Sequence, residues 1–484
     1  MSKQFKLFSI LFGETNIFFL SGIFVYFFAS SLRHFWFQTS SWDLGIFDQA
    51  IYLISQGEDP ISTLLGFHIL ADHGALVLYP IGYLSKLFNS TYFLFFLQGI
   101  ALSSSIFPLE RFSKFKKLNK NSIRASFFVF LLYPVIFNIS IFDFHPEVLS
   151  LPLVLDLFVS LKLNNMNQLW KIILRIFFIL SCKITNSFII FGFGIWLIFK
   201  RLYKLGFSII LMSLFWFYFI GNKLIPYFGG ENSNIIRQAG KFGIQKELIS
   251  LDFISFFSII SRLFIQLFNI ANLEYLLLLF LPVIYLLLHK NRLNLLINLI
   301  PFSPILFLNL VSTISPMKDL VHQYSLFIVP FLSVSTIETM GPTINGIIKY
   351  PIWFRNKAQK IIIFWSIFTF IIFSRFSFFF GEFHTHFDSL LSRQEAISMI
   401  KSSSAVLTTN DLIPHLSRRR SIKLTDSNSN IDFNEFDEVL LDLKNPGWRS
   451  NVNYAKNIYS KLDFSDLWNK RYENNSIVLF SKRN

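Results

Sequence analysis

Two carboxylates, Asp43 and Asp48, lie in the stretch S-W-D-L-G-I-F-D-Q, directly after the first apolar segment of the chain. A carboxylate held at a membrane surface can act as a general base and accept a proton from a hydroxyl group. Five residues on an α-helix correspond to about 140° of net rotation, so the two side chains do not share one face. One can face a cavity while the other braces the helix. We predict both as catalytic residues, with simple helix capping by Asp43 as the alternative.

Further ionisable side chains recur where apolar segments begin or break. Asp72 and His73 lie together in an otherwise apolar stretch, where a polar pair at membrane depth is costly. The motif F-D-F-H-P-E places His145 and Glu147 around a proline at the start of another apolar run. We interpret His73, His145 and Glu147 as substrate-binding residues. The alternatives are a solvated interfacial pair for the first and helix capping for the others.

Three more residues are candidates for substrate binding. Lys183 falls between two short apolar pieces, where a cation could hold a phosphate or could instead extend to the membrane interface. His322 and Tyr324 open a late apolar segment. They could contact substrate or belong to the aromatic belt that marks membrane interfaces.

The sequence favours no metal site and identifies no cofactor. His68 and His73 are five residues apart, whereas a metal-binding pair on one helix face is four apart. The only cysteine, Cys182, lies in an apolar run, which excludes cysteine-based metal sites and an intrachain disulfide.

Composition places the chain in a membrane. Hydrophobic residues make up 53% of the 484 residues and charged residues only 15%, against about 25% charged in soluble domains. The apolar residues come in runs of about 17–25, the length that crosses a bilayer as a helix, which excludes a large soluble core. The net charge of +15 does not indicate nucleic acid, because the basic residues lie mainly in short loops, as the positive-inside bias predicts.

We therefore predict an all-α polytopic bundle of about eleven spans, with additional interfacial or re-entrant helices. The first span is Ile10 to Leu32, with a cytoplasmic, uncleaved N-terminus. The loop from Glu110 to Arg124 is basic and is therefore expected in the cytoplasm. It lies there only if residues 67–88 re-enter the membrane or lie at its interface, so we favour this placement over a full crossing by residues 67–88. The other predicted crossings are Tyr92–Leu109, Ile123–Ile141, Val148–Leu163, Lys171–Lys183, Asn186–Phe199, Leu205–Pro226, Leu273–Leu288, Leu293–Leu310, Tyr324–Met340 and Ile361–Phe380.

This arrangement places every basic loop inside and the acidic and histidine-bearing motifs outside. Residues 1–380 then form a transmembrane domain in the plasma (inner) membrane, with an extracytoplasmic acidic loop at residues 33–66. Residues 381–484 contain no spanning run and are predicted as a small extracytoplasmic α/β domain. They carry neither a G-x-G-x-x-G motif nor a P-loop, so we assign them no nucleotide site.

These motifs resemble the bacterial multipass family called domain of unknown function 2079, which is similar to the lipid-sugar-dependent glycosyltransferases of the C-type fold. The resemblance implies that Asp43, Asp48, Gln49, His73 and His145 are site positions. The matching pieces run nearly end to end, and the first and third are the most specific: S-W-D-L-G-I-F-D-Q-A-I-Y, L-A-D-H-G-A-L-V-L-Y-P-I-G-Y-L, F-D-F-H-P-E-V-L-S-L-P-L, H-Q-Y-S-L-F-I-V-P-F-L and A-V-L-T-T-N-D-L-I-P-H-L-S-R-R.

One position departs from the family pattern. The family usually places an acid or two straight after the lysine that matches Lys183, whereas Ile184 and Thr185 follow here. The resemblance therefore implies that an acidic role at this point is lost in this chain.

Three functions remain open. The first is transfer of a sugar from a polyprenyl-phosphate donor to an unknown acceptor, with Asp43 as base and Lys183 or a loop arginine such as Arg237 on the phosphate. Its partners are a membrane lipid and a polyprenyl-phosphate-linked sugar. The second is a lipid or solute transporter or flippase, which usually needs ionisable residues in mid-span and broken-helix repeats. The third is a non-catalytic scaffold that displays the C-terminal domain.

Overall fold

Apolar helices make up most of the chain. The computed structural model of the protein describes residues 13–163, 169–229, 239–244, 253–289, 295–341, 354, 357–428 and 431–483. Within these residues, six helical stretches are long and apolar enough to cross a membrane: Glu14–Phe35, Tyr92–Phe115, Tyr203–Tyr227, Ile270–Leu288, Ser315–Met340 and Ala358–His384. The helices Lys120–Leu131 and Pro134–Ile141, bent by 45° at their junction, would make a seventh span.

These stretches coincide with seven of the eleven predicted crossings. The remaining four are shorter helices in the structure: Leu151–Lys162, Leu169–Cys182, Asn186–Phe199, and Ile297–Phe302 with Ser303–Val311. A helix of 14 residues is about 21 Å long, short of a hydrocarbon core of about 30 Å. By length and composition, the described residues therefore supply six or seven candidate crossings instead of eleven. Apolar runs alone do not reveal where a helix breaks.

Several short helices surround these spans. Residues 67–88, which we expected to re-enter or lie at the interface, contain the helices Leu70–His73 and Leu78–Ser85, each too short to cross. Residues 41–56 form a five-residue π-helical turn followed by the helix Ile46–Gln56. The other helices in this part of the chain are Phe253–Leu267 and the short turns Pro146–Ser150 and Gln323–Ile328.

Burial separates central helices from peripheral ones. The most apolar window of Ser315–Met340 is 83% buried, whereas that of Ala358–His384 is 17% buried. Large apolar side chains on the peripheral helices are exposed, for example Phe364 at 67% and Leu211 at 67%. Such surfaces suit contact with lipid rather than water.

One close helix crossing requires a glycine. Gly192 of Asn186–Phe199 lies against the backbone of Pro301, and a Cβ atom added at Gly192 would be 2.1 Å from that carbonyl oxygen. Small residues allow helix backbones to approach in this way in membranes. The contact fixes Asn186–Phe199 against the central part of the bundle.

The C-terminal part contains a mixed five-stranded sheet. A hairpin of β1 (Ile61–Ser62) and β2 (Phe67–His68) precedes it. The five strands, in chain order, are β3 Val406–Thr408, β4 Ile422–Leu424, β5 Glu438–Asp442, β6 Trp468–Asn474 and β7 Ile477–Lys482. The order across the sheet is β4-β3-β5-β7-β6, parallel for β4-β3-β5 and antiparallel for β5-β7-β6.

Helices pack beside this sheet. They are Leu390–Ser398, Ile413–Leu416 and Val452–Asp463. The predicted domain boundary at residue 381 falls within the helix Phe376–His386. The last membrane helix therefore leads into the C-terminal part through a second helix.

A buried ion pair joins the C-terminal part to the helix Ile46–Gln56. Asp48 is fully buried, and its carboxylate accepts hydrogen bonds from Arg418 at 2.8 Å, Ser417 at 2.7 Å and Thr91 at 2.8 Å. Its neighbour Gln49 also binds across this interface, with its amide nitrogen within 3.4 Å of a carbonyl oxygen of the C-terminal part. The polar side chains of this helix therefore hold the two parts of the protein together.

We predict that Arg418→Gln weakens this interface. The substitution leaves the Asp48 carboxylate buried without a cation, which should cost about 3 kcal/mol. The thermal unfolding temperature of the purified protein should fall, and a protease should release the C-terminal part faster. Arg420→Gln is the matched control, because Arg420 pairs with Glu58 at the surface and its loss should change neither measurement. Equal behaviour of the two variants would contradict the role of the ion pair.

Candidate functional site

A cavity of about 270 Å³ opens between the broken helices of the bundle. Five acidic or basic side chains from four segments line its polar side: Asp72, His73, Glu147, Lys183 and Lys241. Apolar and aromatic residues of the central helices form much of the remainder. We name this space the polar cavity. Its mixture of an apolar wall and a few converging charges is typical of ligand sites.

Lys183 is held by a buried carboxylate. It lies at the break between Leu169–Cys182 and Asn186–Phe199, and its Nζ donates to Oε1 of Glu147 at 2.5 Å. The two side chains are only 10% and 4% exposed. Two buried charges at this distance stabilise each other, and a bundle of apolar helices offers few other partners. The break in the helix thus places a cation at the cavity wall.

His73 reaches the same wall through backbone contacts. The amide of Ile184 donates to the carbonyl of His73 at 3.1 Å, which ties the short helix Leu70–His73 to the helix break. The imidazole of His73 forms an ion pair with its neighbour Asp72. Asp72 and His73, which the sequence analysis identified as a costly polar pair at membrane depth, therefore both line the polar cavity.

Asp43 and His145 lie side by side, although 102 residues separate them. Nε2 of His145 is 3.6 Å from Oδ1 of Asp43, within ion-pair range but too long for a hydrogen bond. His145 is 2% exposed, whereas Asp43 is 34% exposed. Both residues lie near Glu147, which lines the polar cavity, but neither Asp43 nor His145 lines the cavity itself. The carboxylate is therefore accessible and the imidazole behind it is not.

The loop that carries His145 is held by two neighbouring helices. Asp143 adopts a φ of 105°, which L-residues rarely do, and Arg33 binds its carboxylate at 2.5 Å. Gln98 donates to the carbonyl of Asp143 at 2.9 Å and accepts from the amide of His145 at 3.1 Å. A strained backbone held from two sides orients the imidazole towards Asp43.

Burial and neighbouring charges shift the pKa values of Asp143 and His145 in this loop and of Asp43 beside it. Burial alone would raise the pKa of the Asp43 carboxyl, but His145 and then Lys183 outweigh it and hold that pKa below its ordinary value of 3.8. Burial alone would lower the pKa of the His145 imidazole, but Asp43 and Glu147 raise it above the ordinary 6.5. Burial raises the pKa of Asp143 to about 6 despite Arg33. Asp43 is therefore ionised at neutral pH, beside an imidazole that protonates readily.

The structure separates the other predicted site residues. Tyr324 lines the polar cavity. His322 lies two residues earlier and binds Asp319 through Nδ1 at 2.6 Å. Asp48 and Gln49 contact the C-terminal part instead of the cavity. Arg237 lies outside the described residues.

Sequence reasoning missed a contribution from the C-terminal part. The guanidinium carbon of Arg449 lies 4.1 Å from the ring centre of Trp42 and 4.6 Å from that of Trp448. Trp42 precedes Asp43, so this stack covers the edge of the acidic loop. Gln98 was missed as well. No local pattern marks either contact, because the partners are distant in sequence.

No group of three or more histidine, cysteine, aspartate or glutamate side chains that could hold a metal ion occurs in the part of the chain that the structure describes. The arrangement offers instead a carboxylate next to an imidazole and, beside them, a cation at a cavity wall. Such groups can hold an anion and accept a proton.

The chain belongs to the family of predicted membrane proteins called domain of unknown function 2079. The family model matches residues 33–479, which include all the site residues named above. No curated protein matches the chain by sequence.

A solved structure has the same fold. The crystal structure of ArnT from Cupriavidus metallidurans bound to undecaprenyl phosphate superposes with a TM-score of 0.58, over 96% of this chain and 97% of that chain. The sequences are 9% identical, so the likeness concerns the fold. It supports the predicted fold of a helical membrane bundle.

We predict strong coupling between Glu147 and Lys183. Glu147→Gln or Lys183→Met alone leaves one buried charge without its partner, which should cost about 3–5 kcal/mol and lower the thermal unfolding temperature. The double variant removes both charges and should recover much of that loss. Thermal unfolding of all four proteins in the same detergent measures the coupling. Additive effects of the two substitutions would contradict the buried pair.

Proposed function

We propose that the protein transfers a sugar from a polyprenyl-phosphate donor to an acceptor hydroxyl at the extracytoplasmic face of the membrane. The observation that carries this proposal is the convergence of Lys183, Glu147, His73 and the Asp43–His145 pair at one end of the bundle. The fold shared with ArnT, a protein crystallised with undecaprenyl phosphate, supports a lipid phosphate as the ligand.

Lys183 and His73 would bind the phosphate of the donor. Both line the polar cavity, and each already has a carboxylate partner, Glu147 for the lysine and Asp72 for the histidine. A phosphate oxygen is a strong acceptor for hydrogen bonds from lysine and histidine side chains. The apolar wall of the cavity suits the start of the polyprenyl chain.

Asp43 would act as the general base. Its carboxylate takes the proton of the acceptor hydroxyl while that oxygen forms a bond to the anomeric carbon of the sugar. The bond between that carbon and the phosphate oxygen breaks, and polyprenyl phosphate leaves with the bonding electrons. Asp48 is not part of this step, because hydrogen bonds from Ser417 and Thr91 and the ion pair with Arg418 occupy it. We assign it to the joint between the two parts of the chain.

The proposed orientation follows the positive-inside bias. The loops that bear Lys116 and Lys200 face the cytoplasm, together with the N-terminus. Asp43, the polar cavity and the C-terminal domain of residues 381–484 then face outward. Polyprenyl-phosphate donors present their head group at a membrane surface, which the proposal takes to be this outer one.

We predict that Asp43→Asn lowers the transfer rate by about 10²–10⁴-fold while the protein stays folded, because it removes the base and keeps the shape. The assay follows release of polyprenyl phosphate from a radiolabelled undecaprenyl-phosphate-linked sugar, with solubilised membranes as acceptor source. Glu58→Gln is the matched control, since Glu58 lies at the surface just after the helix that follows Asp43, and pairs with Arg420. Normal transfer by the Asp43→Asn variant would remove Asp43 from the mechanism. Uptake into proteoliposomes without a covalent product would favour a transporter.

We predict a pH profile limited by the Asp43–His145 pair. Protonation of Asp43 should not limit the rate between about pH 7 and about pH 5, because the pKa of Asp43 lies below its ordinary value. It should decline as the pH rises through the raised pKa of His145, where the ion pair loses its positive charge. His145→Gln should abolish the alkaline decline. Initial rates of both proteins, measured from about pH 5 upward through the alkaline decline, provide the test. An unchanged alkaline decline in the variant would exclude His145 as its cause.

A further inference from the structure

A second cavity, of about 540 Å³, lies at the opposite end of the bundle. The helices Leu151–Lys162 and Asn186–Phe199 run from the polar cavity to it, a distance of about 20 Å along their axes. Three lysines and one glutamate line it, namely Lys116, Lys162, Lys200 and Glu338. We name it the basic cavity. Its volume lies in the range of ordinary ligand pockets.

The single carboxylate does not neutralise the three cations. Nζ of Lys162 is 2.8 Å from Oε1 of Glu338, and Asn298 donates to the other oxygen at 2.6 Å. Lys116 lies 3.9 Å from the same carboxylate, at the limit of an ion pair. Lys200 has no carboxylate within ion-pair distance among the described residues. The cavity thus holds about two positive charges in excess, which attract an anion.

A buried hydrogen-bond donor supplies independent evidence for a ligand. Trp196 lines the basic cavity and is 1% exposed. Its indole Nε1 has no hydrogen-bond partner in the described part of the chain. Native proteins rarely leave a buried donor unpaired, because the lost hydrogen bond with water costs about 1–3 kcal/mol. An oxygen of a bound anion in this cavity would satisfy it.

The rim of the cavity is apolar and exposed. Phe115 and Leu202 line the cavity and are 60% and 39% exposed, and Phe199, next to Lys200, is 68% exposed. Exposed aromatic and aliphatic side chains at a helix end suit contact with lipid chains. A ligand with a charged head and an apolar tail fits this combination better than a free ion does.

We propose that the basic cavity binds the phosphate group of an anionic membrane lipid, in the leaflet opposite to the polar cavity. Lys116 and Lys200 contact the phosphate oxygens, and the indole nitrogen of Trp196 donates to one of them. The acyl chains of the lipid lie along Phe115 and Leu202. Lys162 stays with Glu338 and closes the inner end of the cavity. This site is separate from the proposed transfer reaction and does not depend on it.

The test is a native mass-spectrometry titration of the full-length protein, stripped of lipid in detergent. Phosphatidylglycerol is the anionic probe and phosphatidylcholine the zwitterionic one, with and without millimolar inorganic phosphate. The unaltered protein should bind phosphatidylglycerol in preference, and inorganic phosphate should not displace it. Lys116→Gln and Lys200→Gln should each weaken binding about fivefold, and the double variant on the order of 25-fold.

Lys204→Gln is the matched control, because Lys204 is exposed at the same end of the bundle outside the basic cavity. Its affinity should equal that of the unaltered protein. The thermal unfolding temperature of each variant, measured without lipid, verifies that it is folded. The proposal is overturned if the folded double variant binds phosphatidylglycerol normally, or if Lys204→Gln weakens binding as much. Equal binding of phosphatidylcholine, or displacement by inorganic phosphate, would overturn the identification of an anionic lipid.

Discussion

The ion pair between Lys183 and Glu147 is the contact on which the arrangement of the polar cavity depends. Two charges this deeply buried are stable only as a pair with good geometry, and their separation would cost several kcal/mol. Glu147 begins one helix and Lys183 follows another, so the pair fixes two helix ends against each other. The backbone bond from Ile184 to His73 then adds the short helix Leu70–His73. Three segments that are distant in sequence therefore meet at one wall.

The polar cavity also coincides with a break between two short helices, Leu169–Cys182 and Asn186–Phe199. A continuous helix through residue 183 would satisfy its backbone internally and leave no free space beside the lysine. The break after Cys182 exposes a cavity wall and turns the chain back through Asn186–Phe199. Gly192 then permits the close approach to Pro301 that holds this helix in the core. The local loss of helix length is what creates space for a ligand.

The sequence predicted the membrane class, the family and most of the long helices, because hydrophobic runs depend only on local composition. Helical spacing also indicated that Asp43 and Asp48 could not share a face. It could not indicate which of them braces the fold, because Arg418 lies 370 positions from Asp48. Strand patterns in the sequence predicted strands at residues 405–408, 438–443 and 476–480, but not β4 and β6. The first has three residues and the second, W-N-K-R-Y-E-N, is largely polar and exposed, so neither has a strong hydrophobic pattern.

The lengths of the broken helices bear on the depth of the site. Asn186–Phe199 spans about 21 Å between Lys183 and Lys200, whereas the hydrocarbon core of a bilayer is about 30 Å thick. If Lys200 lies at one surface of the hydrocarbon core, Lys183 lies roughly 10 Å below the opposite surface. Local thinning of the bilayer would shorten that depth. A phosphate bound there would be partly removed from water, where its attraction to a cation is stronger than at the surface. Asp43, the proposed base, is one-third exposed and would then meet a hydroxyl that enters from the aqueous side.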